Sequence, residues 1–161
     1  MMCRRMRVFA AAALAVAHTL AHSAESGWVE DAWIEEGPRD VPVLAGYATI
    51  RNPTARTARL LNVSSPRAER IEIHRSEITE NTATMTRVGE LPIPPGGEIR
   101  FTPAGHHLMI YGVAPPPAAG EKLPLVFEFD EGRKLTVQAV VRRSESPPGA
   151  AEDSDRADGS H

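Results

Sequence analysis

Hydrophobic and polar residues alternate in short runs through the middle of the chain. The period of two is clear at Ile71 and Ile73 and again at Leu135, Val137 and Ala139. Since successive side chains of a β-strand point to opposite faces, each run can bury one face and expose the other. We predict strands over nine runs: residues 28–34, 45–52, 59–63, 70–75, 83–88, 98–101, 106–113, 123–129 and 135–141.

Turn-forming residues separate these runs, and no run has the longer period of an amphipathic helix. Asn52-Pro53, Pro94-Pro95-Gly96-Gly97 and Glu131-Gly132 are examples. Short strands at this spacing are typical of antiparallel β-sandwiches with Greek-key connections. The sequence therefore predicts an all-β fold, a single Greek-key β-sandwich domain over residues 24–143.

Both ends of the chain differ from this middle part. A basic start with Arg4, Arg5 and Arg7, an apolar run over residues 8–17 and the small residues around Ala21 predict a secretory signal peptide over residues 1–23. The apolar run is shorter than the ~20 residues that span a bilayer, so we expect no membrane insertion and a periplasmic mature protein. Residues 144–161 carry five acids and no large apolar side chain, which predicts a disordered acidic tail.

Composition and charge narrow the function classes. The 161 residues include 18 basic and 21 acidic ones, and loss of the three signal-peptide arginines leaves 15 basic residues and a net charge of −6. No basic run lies in the predicted domain, which argues against nucleic acid and acidic membrane surfaces as partners. The single cysteine, Cys3, precedes the apolar run, so we expect a cysteine-free mature chain without a disulfide, a thiolate metal site or a lipid-anchored cysteine.

Few side chains that bind soft metals remain after the signal peptide. On the predicted strand 106–113, His107 and Met109 lie two residues apart and leave the same face, while His106 leaves the other. His74 points away from the face of Ile71 and Ile73. The full set comprises four histidines and two methionines: His74, Met85, His106, His107, Met109 and His161.

The donor chemistry of this set favours monovalent copper. Imidazole nitrogens and thioether sulfurs form a soft, neutral donor set that suits Cu(I) and suits magnesium or calcium poorly. Thioethers do not titrate, so only the imidazoles must lose protons, and we expect binding to weaken below about pH 6.5. A blue-copper electron carrier needs a cysteine ligand and is excluded by the composition.

The order and spacing of four of these residues resemble a known signature. His74, ten residues, Met85, twenty-one residues, His107, one residue and Met109 is similar to the motif of the PCu(A)C family of periplasmic copper chaperones. Further similar segments lie at residues 48–52, 64–74, 93–97 and 105–109. The resemblance implies a cupredoxin-like β-sandwich that binds one Cu(I) through His74, Met85, His107 and Met109.

The resemblance also implies a role without catalysis. The chain would carry Cu(I) in the periplasm as a monomer and hand it to other proteins, including the binuclear copper centre of cytochrome c oxidase subunit II. Glu72 is a candidate to hydrogen-bond an imidazole and fix its tautomer. We interpret His106 as non-ligating because it faces the other side of the strand, and His161 as an incidental solvated residue.

Two alternatives remain open at this point. Signal cleavage after Ala21 would expose His22 as the N-terminus, and a histidine-brace copper protein or enzyme would then be possible. The second alternative is a periplasmic interaction domain without metal, in which the histidines and methionines are structural. N-terminal sequencing of the secreted protein decides the first alternative, and anaerobic calorimetric titration with Cu(I) separates the metal-free interpretation from the copper chaperone.

Overall fold

The computed structural model describes residues 27–38, 41–79 and 82–143. The predicted signal peptide with Cys3 and His22, and the predicted tail with His161, lie outside these described residues. Within them there are ten strands and one 3-10 helix: β1 Val29–Glu35, β2 Val43–Arg51, β3 Ala58–Ser64, β4 Arg70–Thr79, β5 Thr82–Val88, β6 Leu91–Ile93, β7 Glu98–Arg100, β8 His106–Tyr111, β9 Lys122–Phe129, the helix Asp130–Gly132, and β10 Lys134–Arg142.

All ten strands belong to one sheet. Its order is β5-β4-β8-β2-β1-β10-β9-β3-β6, and β7 also pairs with β2. The sheet curls until β3 lies beside β4, which makes a nearly closed barrel. Every pairing is antiparallel except that of β1 with β10, which is parallel. The all-β prediction is confirmed, and the one parallel pair is a feature of the sheet that the alternation of residues does not indicate.

Each of the nine predicted runs overlaps one of nine observed strands, with ends that differ by a few residues. The strand that the pattern missed is β6, which has three residues, includes Pro92 and pairs with β3 at an edge of the sheet. Three residues are too few to show a period of two, and an edge position tolerates a proline because no ladder hydrogen bond is lost there. No helix of the described residues is long and apolar enough to cross a bilayer.

The core is built from the inward faces of the alternating strands. Leu108 and Ile110 on β8 are fully buried, and Ile71 and Ile73 on β4 are buried opposite them. Burying an aliphatic side chain of this size contributes roughly 1.5–3 kcal/mol. Because a slip of one residue would turn these side chains out of the core, the core also fixes which side chains of β4 and β8 point outward.

One buried polar side chain ties the end of β2 to β6. Asn52 is 1% exposed, and its Nδ2 donates to the carbonyl oxygens of Arg56 at 2.7 Å and Ile93 at 2.9 Å. Its Oδ1 accepts from the backbone N–H of Thr54 at 3.0 Å. A buried amide must be paired in this way because an unpaired one costs about 1–3 kcal/mol. The asparagine therefore fixes the loop that follows β2.

Candidate metal centre

The antiparallel pairing of β4 with β8 brings the two predicted histidine ligands together. His74 on β4 lies directly opposite His107 on β8. Their ring centroids are 6.0 Å apart, with an angle of 52° between the ring planes. Both rings lie on the outer face, since their neighbours Ile73 and Leu108 point into the core. The fold thus brings together two imidazoles that are distant in sequence.

Met109 joins this pair on the same face. It follows His107 by two residues on β8, and its register partner on β4 is Glu72. Directly opposite residues on neighbouring strands share a face, and diagonal neighbours remain within reach of long side chains. Met109 is therefore a diagonal neighbour of His74 and is only partly exposed.

Met85 lies on the other side of His74. It belongs to β5, its register partner on β4 is Ser76, and the residue directly opposite His74 on this side is Arg87. The Met85 side chain is 54% exposed, whereas the other three predicted ligands are buried or half-buried. Met109 is level with Glu72 and Met85 is level with Ser76, so a single ion would need both long side chains to converge over His74.

Hydrogen bonds set which ring nitrogens are free to bind a metal. His74 Nε2 lies 3.0 Å from Glu72 Oε2, and His107 Nδ1 lies 3.1 Å from the carbonyl oxygen of Gly105. Both oxygens are acceptors, so these nitrogens carry the protons and leave lone pairs on His74 Nδ1 and His107 Nε2. Among the described residues, His74 Nδ1 is the one buried side-chain polar atom without a hydrogen-bond partner.

An unpartnered buried nitrogen is unusual, and a metal ion would explain it. Buried polar atoms in native proteins are nearly always paired, and an unpaired one indicates a functional role or an absent partner such as an ion. The Glu72 carboxylate behind His74 is the usual partner of a metal-binding imidazole, because it fixes the tautomer and increases ligand basicity. The nitrogens and the Met109 thioether together fit a soft ion.

Glu72 stays ionised in this position. It accepts from His74, and the guanidinium groups of Arg70 and Arg87 lie 3.4 Å and 3.7 Å from its Oε1. The hydrogen bond from His74, aided by the charges of Arg87 and Arg70, holds the pKa of Glu72 below its usual range although partial burial opposes this. The sequence analysis proposed Glu72 for this hydrogen bond, and the contact is present.

His106 lies on the opposite face, as its position next to His107 predicts. It pairs with Arg75, and its ring centroid is 5.9 Å from that of Phe101. Burial lowers the pKa of His106, and the charge of Arg75 acts in the same direction. The side chain is therefore directed away from the paired imidazoles of His74 and His107.

An aromatic pair extends the outer face on the side of β2. Gly46 on β2 pairs with Leu108 on β8. Because the two strands are antiparallel, the next residue on β2, Tyr47, lies on the side of His107. The Tyr47 ring lies 4.4 Å from that of Trp33, and its hydroxyl donates to Glu35 Oε2 at 3.2 Å. The sequence analysis missed this pair. The alternation of residues in β2 could have indicated it, because Leu44, Ala48 and Ile50 point inward and Tyr47 therefore points outward.

A site for hard ions is not seen in the part of the chain that the structure describes. Nowhere in residues 27–38, 41–79 and 82–143 do three His, Cys, Asp or Glu side chains gather closely enough to hold an ion. Oxygen-rich calcium and magnesium sites need several such ligands. The outer face of β4, β5 and β8 instead combines two imidazoles with thioethers.

Comparisons with known proteins give matches over most of the chain. The family model described as "Putative lipoprotein LpqE-like" matches residues 28–141. A relative named "Putative lipoprotein Lxx21020", from Leifsonia xyli subsp. xyli, is 25% identical over 129 residues, which is 80% of this chain and 76% of the relative.

Solved PCuAC domains are similar to the chain in structure. The copper-bound PCuAC domain from PmoF2 has a TM-score of 0.61 at 18% identity and covers 71% of this chain and 91% of its own. The solution structure of CuI-DR1885 from Deinococcus radiodurans has a TM-score of 0.61 at 24% identity and covers 78% of this chain and 83% of its own. The predicted cupredoxin-like fold and the PCuAC resemblance are confirmed.

The environment of Tyr47 predicts a distinct pH dependence of stability. Burial, followed by the charge of Glu35 and its hydrogen bond, raises the pKa of Tyr47 to about 12. An unfolded tyrosine titrates near 10, so the neutral phenol stabilises the fold fully below about pH 10 and this contribution is lost as the pH rises through 12. Denaturant unfolding between pH 9 and 12 measures this loss.

A phenylalanine at this position provides the control. Tyr47→Phe keeps the ring on Trp33 and removes the ionisable hydroxyl, so its spectrophotometric titration should lack the phenolate step near pH 12. Tyr111→Phe should retain that step. If the phenolate step that Tyr47→Phe removes were centred near pH 10 in the wild-type protein, the assignment would be contradicted.

Proposed function

The chain belongs to the LpqE-like family, which is of the PCuAC type, and on this premise we propose that it is a copper chaperone that binds Cu(I) on the outer face of β4, β5 and β8. His74 Nδ1 and His107 Nε2 would supply two nitrogens, and Met109 and Met85 would supply two sulfurs. The observation that carries the proposal is the buried Nδ1 of His74, an atom of the paired-imidazole site that has no hydrogen-bond partner among the described residues.

The donor set explains both capture and release of Cu(I). Neutral nitrogen and thioether donors match a soft monovalent ion and leave its positive charge uncompensated, which disfavours divalent ions that prefer anionic oxygen or thiolate ligands. His107 is 4% exposed and provides a fixed inner ligand. Met85 is more than half exposed on β5, so an acceptor can replace its weak thioether first.

The descriptions of similar proteins support copper as the bound metal and the cell envelope as the location. One solved relative is copper-bound and another holds Cu(I), and the family model and one relative are named lipoproteins. We place this chain in the periplasm as a monomeric carrier without enzymatic activity. By the PCu(A)C resemblance, we propose the binuclear copper centre of cytochrome c oxidase subunit II as one recipient.

Removal of individual donors tests the site directly. His107→Ala should weaken Cu(I) binding by at least about 100-fold, since loss of a ligand costs more than the 10- to 100-fold of a lost outer partner. Met109→Ala and Met85→Ala should each weaken it too. The measurement is anaerobic competition for Cu(I) against a chromophoric chelator.

His106→Ala is the matched control for these variants. It removes an imidazole from the adjacent position of the same strand, but from the opposite face, and should leave Cu(I) affinity at the wild-type level. If affinity were unchanged in the double variant Met85→Ala/Met109→Ala, the thioethers would not be ligands and the proposed site would be wrong.

The carboxylate behind His74 gives a second test. Glu72→Gln keeps the side-chain shape and removes the charge that polarises the imidazole, so Cu(I) affinity should fall by about 10- to 100-fold. Glu77→Gln is the control, because Glu77 lies on the same strand, is exposed and pairs with Arg75 on the opposite face. Equal affinities of the two variants in the chelator competition would contradict a role for Glu72.

A further inference from the structure

Two arginines flank the paired-imidazole site on its solvent side. Arg70 on β4 and Arg87 on β5 both approach Glu72 Oε1, at 3.4 Å and 3.7 Å. Their side chains are 56% and 72% exposed. Arg70 is further held by the ring of Tyr111, whose centroid lies 3.7 Å from its guanidinium carbon. The two guanidinium groups are thus positioned at the surface beside the proposed ligands.

The charges on this face do not cancel. The single carboxylate of Glu72 faces two guanidinium groups, and its second oxygen is engaged by His74. The four proposed ligands are neutral, so bound Cu(I) would add one more positive charge. The chain without its predicted signal peptide has a net charge of −6. The part of the metal face around Glu72 is therefore a local positive region on an acidic protein, whereas the Glu35 carboxylate lies on the far side of the face, beside Tyr47.

This positive region extends to β5, which forms an edge of the sheet in the part of the chain that the structure describes. β5 is the terminal strand in the sheet order beside β4, and Arg87 follows Met85 by two residues on the same face. Met85 is 54% exposed, so another molecule can reach the thioether and the guanidinium group of Arg87 together. Arginine presents a planar fork of donors that matches a carboxylate.

We propose that Arg70 and Arg87 form a docking surface for an anionic acceptor, a protein whose copper-receiving donors are surrounded by Asp and Glu side chains. The inference rests on the proposed function and specifies the chemistry of the recipient. Charges at the rim of an interface mainly increase association rates, and they do so most strongly at low ionic strength. The arginines should therefore speed transfer to anionic acceptors specifically.

Two Cu(I) chelators of different charge test this surface. Bathocuproine disulfonate is a dianion, and neocuproine is uncharged. Stopped-flow absorbance measures the rate at which each removes Cu(I) from the loaded, full-length protein under anaerobic conditions. The measured quantity is the rate with bathocuproine disulfonate divided by the rate with neocuproine. At low ionic strength this rate ratio should fall about threefold or more in Arg70→Gln/Arg87→Gln, and added salt should lower it in the wild-type protein for the same reason.

Matched variants make the result specific. Arg70→Lys/Arg87→Lys keeps both charges and should preserve most of the wild-type ratio. Arg133→Gln removes an exposed arginine that stacks on Trp28 at the β9–β10 connection, away from the site, and should leave the ratio unchanged. A double Gln variant with the wild-type ratio, or an equal fall in Arg133→Gln, would overturn the docking surface.

The equilibrium measurement separates this inference from the proposed function. One outcome is that the wild-type protein holds Cu(I) in the chelator competition, while the rate ratio changes neither in Arg70→Gln/Arg87→Gln nor with salt. In that case only the docking surface is overturned. If the wild-type protein holds no Cu(I), the proposed function is overturned and this inference with it. Thermal unfolding followed by circular dichroism checks that each variant is folded.

Discussion

The register between β4 and β8 is the constraint on which the proposed site depends. It sets His74 opposite His107 and Glu72 opposite Met109, while Ile73 and Leu108 fill the core behind them. A shift of one residue in either strand would expose core side chains and separate the imidazoles. The same hydrophobic burial that stabilises the sheet therefore also holds the two nitrogen donors in place.

The register positions the two imidazole rings, and hydrogen bonds fix which ring nitrogens carry protons. Glu72 and the carbonyl of Gly105 each bind one protonated ring nitrogen, so the remaining nitrogens keep their lone pairs. The arrangement leaves the buried His74 Nδ1 without a hydrogen-bond partner in the part of the chain that the structure describes. The proposed carrier role requires one accessible donor, and Met85, exposed on the edge strand β5, is the proposed donor in that position.

Much of the fold could be predicted from sequence because the alternation is local. It located nine strands and placed His107 and Met109 on one face, but β6 was too short to show a period. The pairing of β4 with β8 could not be derived from local pattern, since no nearby residue specifies which distant strand becomes a neighbour. The offset of Met85 to the level of Ser76 depends in the same way on the pairing of β4 with β5. The alternation of β2 does indicate that Tyr47 faces outward, but its place beside His107 depends on the pairing of β2 with β8.

X-ray absorption at the copper edge of the protein loaded anaerobically with Cu(I) tests the central claim most directly. The account predicts a first coordination shell that contains both imidazole nitrogen and thioether sulfur, with the outer-shell scattering of histidine rings. A shell of nitrogen and oxygen alone, or one without histidine scattering, would contradict the assignment of His74, His107 and the methionines to a single copper ion.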